Sequence, residues 1–172
     1  ATDQATDQVV FDHFSDNSDH SVVEEFKKLF DGESAVLDMI SANGDGGEVQ
    51  AIRHGYMRYT NQIHSYLSGL CDHDELFTVF DQYRVLTATK HGKFGLNDMN
   101  TYISSHVAQV TGQDSREWYV GRPIMITENN YKLGLSNGDI GICLKHRENS
   151  GEFEVYFQSS NKWISTTRLP KS

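Results

Sequence analysis

Residues 119–143, YVGRPIMITENNYKLGLSNGDIGIC, decide the fold expected for the C-terminal part of the chain. Apolar side chains alternate with other residues over 122–127 and again over 139–145, which is typical of short strands with one buried face. Ser136-Asn137-Gly138 precedes the second strand and has the composition of a tight turn, because glycine adopts positive φ at no steric cost. The stretch therefore predicts two strands with a turn-rich connection between them.

The residues beyond this stretch continue the same pattern. We expect a third strand over 153–157 and a fourth over 162–166, with Glu148-Asn149-Ser150-Gly151 as the turn before the third. Short strands at such spacing favour a small antiparallel barrel or meander. The sequence therefore predicts a small antiparallel β-barrel over residues 116–172.

The residues before position 116 are predicted to be mainly helical, because their apolar side chains recur at helical spacing. Helices are expected over 22–30, 34–41, 48–70, 73–82 and 96–110. One strand interrupts them at 84–89, RVLTAT, where Val85, Leu86 and Ala88 suit a central strand covered by helices on both faces. A glycine-bounded basic loop then leads into the last helix, which gives the strand–loop–helix unit of an α/β layer.

The predicted fold class is α+β, in three parts. Residues 1–20 are interpreted as a loose acidic lead-in, residues 21–115 as a helical and α/β part, and residues 116–172 as the barrel.

Charge is unevenly distributed: residues 1–81 carry 4 Lys and Arg against 16 Asp and Glu, whereas residues 82–172 carry 11 against 8. One interpretation of this asymmetry is that the acidic first half keeps the protein soluble. The other is that the basic second half binds nucleic acid.

Composition excludes several classes of protein. The two cysteines, Cys71 and Cys143, lack CxxC spacing, which excludes a disulfide scaffold and a four-cysteine zinc site. No apolar run approaches the ~20 residues of a membrane span. The first residues, ATDQATDQ, are polar and acidic, unlike a signal peptide. We therefore expect a cytoplasmic protein of a reducing compartment, with no membrane contact.

The motifs of a self-contained catalytic site are absent from the sequence. It contains no GxxxxGK[ST], GxSxG or HExxH, so we expect no catalytic residue, no metal site and no ATP hydrolysis by these residues. The basic half instead interleaves cations, which contact phosphates, with aromatic rings, which stack on unpaired bases. The cations are Lys90, Lys93, Arg122, Lys132, Lys145, Lys162 and Arg168, and the aromatic residues are Trp118, Tyr119, Tyr131, Tyr156 and Trp163. Ordinary surface lysines around a Trp163 that fills the barrel are the alternative.

The stretch 119–143 resembles the C-terminal region of superfamily-1 DNA helicases, in which a G-R-P-V-M…N…G-L-x-N-G-D-x-G string builds a small barrel beside the second motor domain. With YRVLTATKHGKFGLNDMN at 83–100, it resembles more specifically the RecD family, the alpha subunits of exodeoxyribonuclease V. The resemblance extends over roughly 48–170, and residues 1–47 match it poorly.

The resemblance implies a fragment of an ATP-dependent DNA helicase subunit that works in double-strand break repair with RecB-like and RecC-like subunits. It implies that the P-loop domain precedes residue 1 and that the final helicase motifs follow residue 172. ATP and magnesium are expected for the parent protein, and no cofactor is expected in this fragment. A non-catalytic module that binds single-stranded DNA or a protein is the alternative, and an adaptor whose acidic helices dock elsewhere is a third possibility.

Candidate site residues fall into two groups on this resemblance. The candidates for contact with single-stranded DNA are Lys90, Lys93, Arg122, Asn129, Tyr131 and Lys132. The candidates for structural turns are Gly134, Asn137, Gly138, Asp139 and Gly141. For Arg122, Tyr131 and Lys132 a plain surface role stays open, and Asn129 can also bridge backbone groups across its loop. Lys90 replaces the family's usual arginine, which keeps the charge but loses the bidentate fork, and Lys93 replaces a usual proline.

Overall fold

The computed structural model describes residues 6–12, 35–41, 47–87, 90–92, 94–114, 117–145 and 152–169. The helices of the described residues are α1 (Gly47–Leu67), α2 (His73–Phe80) and α3 (Leu96–Val110). Their strands are β1 (Thr6–Asp12), β2 (Ala35–Ser41), β3 (Tyr83–Thr87), β4 (Pro123–Met125), β5 (Ile140–Lys145), β6 (Phe153–Phe157) and β7 (Lys162–Ser165). The chain divides into two compact units, one drawn from residues 1–61 and 78–106 and the other from 62–77 and 107–172.

The first unit contains a parallel sheet with the strand order β2-β1-β3. Val10 of β1 lies opposite Met39 of β2 on one side and opposite Leu86 of β3 on the other. The helix expected over 34–41 is wrong, because these residues form β2. The interpretation of residues 1–20 as a loose lead-in is wrong for the residues of β1. The helix expected over 22–30 lies outside the described residues.

Both errors have the same physical cause. A short apolar run such as AVLDMIS fits a strand of a parallel sheet and a turn or two of helix equally well, because such strands lack the alternation that marks a half-buried strand. The partners are also remote in the chain, since Asp7 pairs with Tyr83. The pairing that decides between strand and helix is therefore invisible in a local window.

Strand β3 confirms the strand predicted at RVLTAT, although it lies at the edge of the described sheet. Val85 and Leu86 are half-buried, so the expected central strand with both faces covered is not what the described residues form. Tyr83 anchors the strand: its buried ring packs edge-on against Tyr56, with 5.0 Å between ring centroids. Gly55 permits this contact, because a Cβ there would lie 2.0 Å from the Tyr83 ring.

The three helices lie close to the ranges predicted for them, although Leu96 and Val110 at the ends of α3 are exposed. In α1 the buried stripe consists of Ile52, Tyr56, Tyr59 and Ile63, which recur every three or four residues. In α2, Asp72 Oδ1 accepts a hydrogen bond from the Glu75 amide, which caps the first turn. None of the described helices combines the length and the apolar character that crossing a membrane requires.

The second unit contains an antiparallel sheet with the strand order β4-β5-β6-β7. Cys143 on β5, Val155 on β6 and Ile164 on β7 lie side by side across the sheet and are buried. They belong to one core cluster with Ile126, Leu135, Phe157 and Leu169. At Gly141 a Cβ would lie 2.5 Å from Val155 Cγ1, so only glycine allows β5 and β6 to pack this closely.

The opposite face of this sheet is covered by the start of α2. His73 lies 4.5 Å from Tyr156 and 5.1 Å from Trp163, measured between ring centroids. Phe77 adds an edge-on contact with Tyr156 at 5.7 Å. Residues 62–77, which precede β3 in the chain, therefore complete the packing of a sheet formed by residues 123–165.

The α+β class is confirmed, but the predicted barrel is wrong, because the described antiparallel sheet does not close. Strands β4 and β7 form its two edges and do not pair with each other among the described residues. The edge strands β4 and β7 have three and four residues, so each offers few backbone groups for a closing pair. Pro123 also removes one backbone donor from β4. The division of the chain at residues 20 and 115 stays a prediction.

Candidate nucleic-acid interface

The connection between β4 and β5, residues 129–139, is held in a fixed shape by its own hydrogen bonds. Asn130 and Leu135 exchange backbone hydrogen bonds of 2.8 and 3.0 Å, which close the turn between them. The Asn130 side chain, through Oδ1, accepts a further bond of 3.1 Å from the Leu133 amide. The loop thus contains a turn stabilised by an asparagine side chain, as asparagine favours. We call residues 129–139 the Tyr131 loop.

A second set of contacts fixes the far side of the Tyr131 loop. Asn129 Oδ1 accepts a 2.9 Å hydrogen bond from the Asn137 amide, which is the predicted bridge across the loop. Asp139 Oδ2 accepts a 2.8 Å bond from the Ser136 amide. Gly138 has φ of +92° and donates its amide to the Ile126 carbonyl at 2.7 Å. These contacts hold the turn that leads into β5.

The side chain of Lys162 on β7 also contacts this loop. Its Nζ donates hydrogen bonds to the carbonyl oxygens of Leu133, at 3.2 Å, and of Gly134, at 2.6 Å. Gly134 has φ of +63°, and a Cβ at this position would lie 2.1 Å from Lys162 Nζ. The ammonium therefore occupies the space that a side chain at position 134 would need.

Tyr131 is the aromatic side chain that this loop presents to solvent, with 89% of its surface exposed. The side chains of the other four aromatic residues of the predicted pattern are buried or half-buried. Tyr119 and Tyr156 are buried, while Trp118 and Trp163 are half-buried. Of these five rings, Tyr131 therefore has the exposure that stacking on a base requires.

The predicted cations are similarly divided. Lys132, next to Tyr131, is exposed and has no ion-pair or hydrogen-bond partner for its side chain among the described residues. Arg122 is half-buried, donates to the Glu117 carbonyl and lies 5.5 Å from the Trp118 ring centroid. Lys90 is exposed but belongs to the other compact unit, and Lys93 lies outside the described residues.

The structure thus groups some of the candidates and separates others. The Tyr131 loop unites Asn129, Tyr131 and Lys132 with most of the turn residues. Arg122 precedes β4, at the other end of that strand, and Gly141 lies within β5. No three His, Cys, Asp or Glu side chains come together as a metal site in the part of the chain that the structure describes.

The sheet behind the loop is strongly desolvated. Burial raises the pKa of the Cys143 thiol to about 12, and the nearby Arg122 and a hydrogen bond with the Tyr119 backbone lower it only in part. Cys71 is half-buried, and burial again raises its pKa. Both cysteines are free thiols.

The sequence places Asn130 in an Asn129-Asn130 turn cluster between the first two strands of the sheet, and Asn130 does close a turn there. One residue that holds the loop was missed. Lys162 was interpreted only as one of several surface cations. Its position on β7 is remote in sequence from Leu133 and Gly134, so no local signal identifies the contact.

Comparison with known proteins gives a consistent relationship. Residues 97–157 match the ATP-dependent RecD-like DNA helicase SH3 domain. The RecBCD enzyme subunit RecD of Haemophilus influenzae is 34% identical over 94 residues, which cover 53% of this chain and 13% of that protein. The corresponding subunit of Mycolicibacterium smegmatis is 38% identical over 76 residues, covering 44% of this chain and 14% of that protein.

A third relative, the RecBCD enzyme subunit RecD of Buchnera aphidicola subsp. Acyrthosiphon pisum, is 34% identical over 96 residues, covering 53% of this chain and 16% of that protein. No solved structure matches the chain. The resemblance to RecD subunits is thereby confirmed over about half of the chain, which corresponds to a small part of the length of these relatives.

Proposed function

Residues 97–157 match a RecD-like helicase SH3 domain, and on that premise we propose that the chain is part of a RecD-like DNA helicase subunit and supplies a contact to single-stranded DNA. The Tyr131 loop is the proposed contact. The observation that carries this proposal is the exposure of Tyr131 on a loop fixed by side-chain and backbone hydrogen bonds.

The chemistry of the loop supports a single strand as its ligand. An exposed tyrosine ring stacks on any unpaired base, and an adjacent lysine contacts the phosphate beside it. Because the loop is already ordered, binding costs little of the entropy that a mobile loop loses. A duplex hides the base faces in its own stack, so Tyr131 favours unpaired nucleotides.

The activity of the whole helicase is proposed for the larger protein. ATP and magnesium would be held by residues outside this sequence, since these 172 residues lack a Gly-x4-Gly-Lys-Ser/Thr phosphate loop. The relatives are named as subunits of the RecBCD enzyme. RecB-like and RecC-like subunits are therefore the partners that we propose, together with a role in DNA unwinding.

The test is binding of a fluorescein-labelled oligothymidine to the 172-residue chain, measured by fluorescence anisotropy at several salt concentrations. We expect Tyr131→Ala to weaken binding by about 1–3 kcal/mol, a factor of roughly 5 to 150, because the variant removes the ring on which one base stacks. Tyr131→Phe keeps the ring and should bind like the parent.

Two lysine variants separate a local contact from general charge. Lys132→Met should weaken binding and lower the salt slope by ~0.7, the value for one phosphate contact on a single strand. Lys145→Met is the matched control, because Lys145 is exposed at the far end of β5. Equal losses from both variants, with no loss from Tyr131→Ala, would refute a contact at the Tyr131 loop and indicate that DNA binds through general charge.

A further inference from the structure

We propose that Lys162 is a positioning residue, which ties the Tyr131 loop to β7 and thereby holds Tyr131 where it meets a base. This inference rests on the proposed contact of the loop with single-stranded DNA. It assigns to Lys162 a role different from the phosphate contact that its charge suggested in the sequence.

The first argument is the geometry of the ammonium group. Lys162 Nζ donates to the carbonyls of Leu133 and Gly134, two consecutive residues at the end of the turn that Tyr131 begins. An ammonium has three N–H donors, and these two bonds use two of them. Hydrogen bonds from a charged donor are shorter and stronger than neutral ones, so the contact is a substantial restraint on the turn.

The second argument is the fit between Lys162 and Gly134. A methyl group at position 134 would lie 2.1 Å from Nζ and would displace the ammonium. The φ of +63° at this residue separately disfavours any L side chain. Gly134 therefore permits both the backbone conformation of the turn and the close approach of the Lys162 ammonium to it.

The third argument is the place of the contact in the sheet. The Tyr131 loop follows β4 at one edge, and Lys162 comes from β7 at the other edge. In the described residues these edges share no backbone pairing, although Leu135 and Ile164 belong to the same core cluster. The Lys162 side chain thus provides a polar link between the two edges, at the turn that carries Tyr131.

A phosphate role for Lys162 would work against these contacts. Lys162 is half-buried, whereas Lys132 is exposed. A phosphate would have to share the Lys162 ammonium with the Leu133 and Gly134 carbonyls, which leave it one N–H. Lys132 can contact a phosphate without breaking any bond in the described part of the chain.

The experiment compares Lys162→Met, Lys132→Met and Tyr131→Ala in the 172-residue chain, using the same labelled oligothymidine. Lys162→Met should weaken binding by about the factor seen for Tyr131→Ala and leave the salt slope unchanged. The double variant Tyr131→Ala/Lys162→Met should bind no more weakly than Tyr131→Ala alone, because both changes remove one contribution. A drop of ~0.7 in the salt slope for Lys162→Met, or additive losses in the double variant, would overturn the positioning role.

Amide hydrogen exchange gives a readout that does not depend on DNA. Lys162→Met should speed exchange at the Leu133 and Leu135 amides and leave the Val155 amide unchanged. Gly134→Ala should have the same effect, since it displaces the ammonium. If the parent chain binds no oligothymidine, the proposed function fails. Faster exchange in the loop of Lys162→Met would then still support the restraint of the loop by Lys162. Unchanged exchange at the Leu133 and Leu135 amides would overturn that restraint, whether or not the chain binds DNA.

Discussion

The antiparallel sheet and strand β3 of the parallel sheet differ in how completely their side chains are buried. In the antiparallel sheet, Val155 on β6 and Cys143 on β5 have no exposed surface, and α2 residues cover the opposite face. In the parallel sheet, Val85 and Leu86 on β3 remain half-buried. The difference shows that the antiparallel sheet is complete within its own unit. The parallel sheet ends at a strand whose second edge has no strand partner among the described residues.

The largest expected effect tests the complete sheet. Val155→Asp places a charge in a core with no exposed surface, so we expect a loss of about 4 kcal/mol or more, enough to unfold the antiparallel sheet. Trp118 and Trp163, the two tryptophans of the chain, both belong to this unit, so urea unfolding followed by tryptophan fluorescence reports it directly. Thr127→Asp, at an exposed position, is the control and should unfold like the parent.

The corresponding change in the parallel sheet should cost less. Leu86→Asp puts a charge on a half-buried strand, so we expect about 2 kcal/mol, since the carboxylate keeps part of its hydration. Faster amide exchange in β3, without a shift in the tryptophan transition, is the expected result. A loss as large as that of Val155→Asp would show that β3 is covered in the folded protein, and the contrast between the sheets would disappear.

A smaller effect comes from pH. Burial raises the pKa of Cys143 to about 12 from its ordinary value of 9.0, so the folded state keeps a proton that the unfolded chain releases. The contribution of Cys143 to stability is complete below pH 9 and is lost as pH rises toward 12. By pH 10 the loss is about 1 kcal/mol.

Cys143→Val removes this titration, so the urea midpoint of the variant should fall less than that of the parent between pH 8 and pH 10. Cys71→Ala, which changes the half-buried cysteine outside the sheet, is the control. A parallel decline in the parent and in Cys143→Val would contradict the desolvation of Cys143 and weaken the description of this core as complete.

The difference between the antiparallel and the parallel sheet also explains which strands could be predicted from the sequence. Strands β5 to β7 were predicted within about one residue of their ends, because their partners are close in the chain and their turns carry Gly and Asn. Strands β1 and β2 were missed, because a parallel pairing depends on residues far away in sequence. Tyr131 and Asn129 were named as candidates from the sequence, and their contact with DNA stays a prediction. The contact of Lys162 was missed because it joins residues that lie 28 and 29 positions apart in the chain. The closed barrel was wrong for a related reason: strand count and spacing do not reveal whether two edges meet.

The contact between α2 and the antiparallel sheet has a consequence for the modularity of this region. The rings of His73 and Phe77 pack against Tyr156, and the His73 ring also packs against Trp163. Both His73 and Phe77 lie upstream of residues 97–157, the part that matches the helicase SH3 domain. A piece excised at the boundaries of that match would lack β7 with Trp163, and it would leave Tyr156 without the cover of His73 and Phe77. The unit that can be transplanted between proteins, or inherited as one block, is therefore discontinuous: it needs residues 62–77 as well as 107–172.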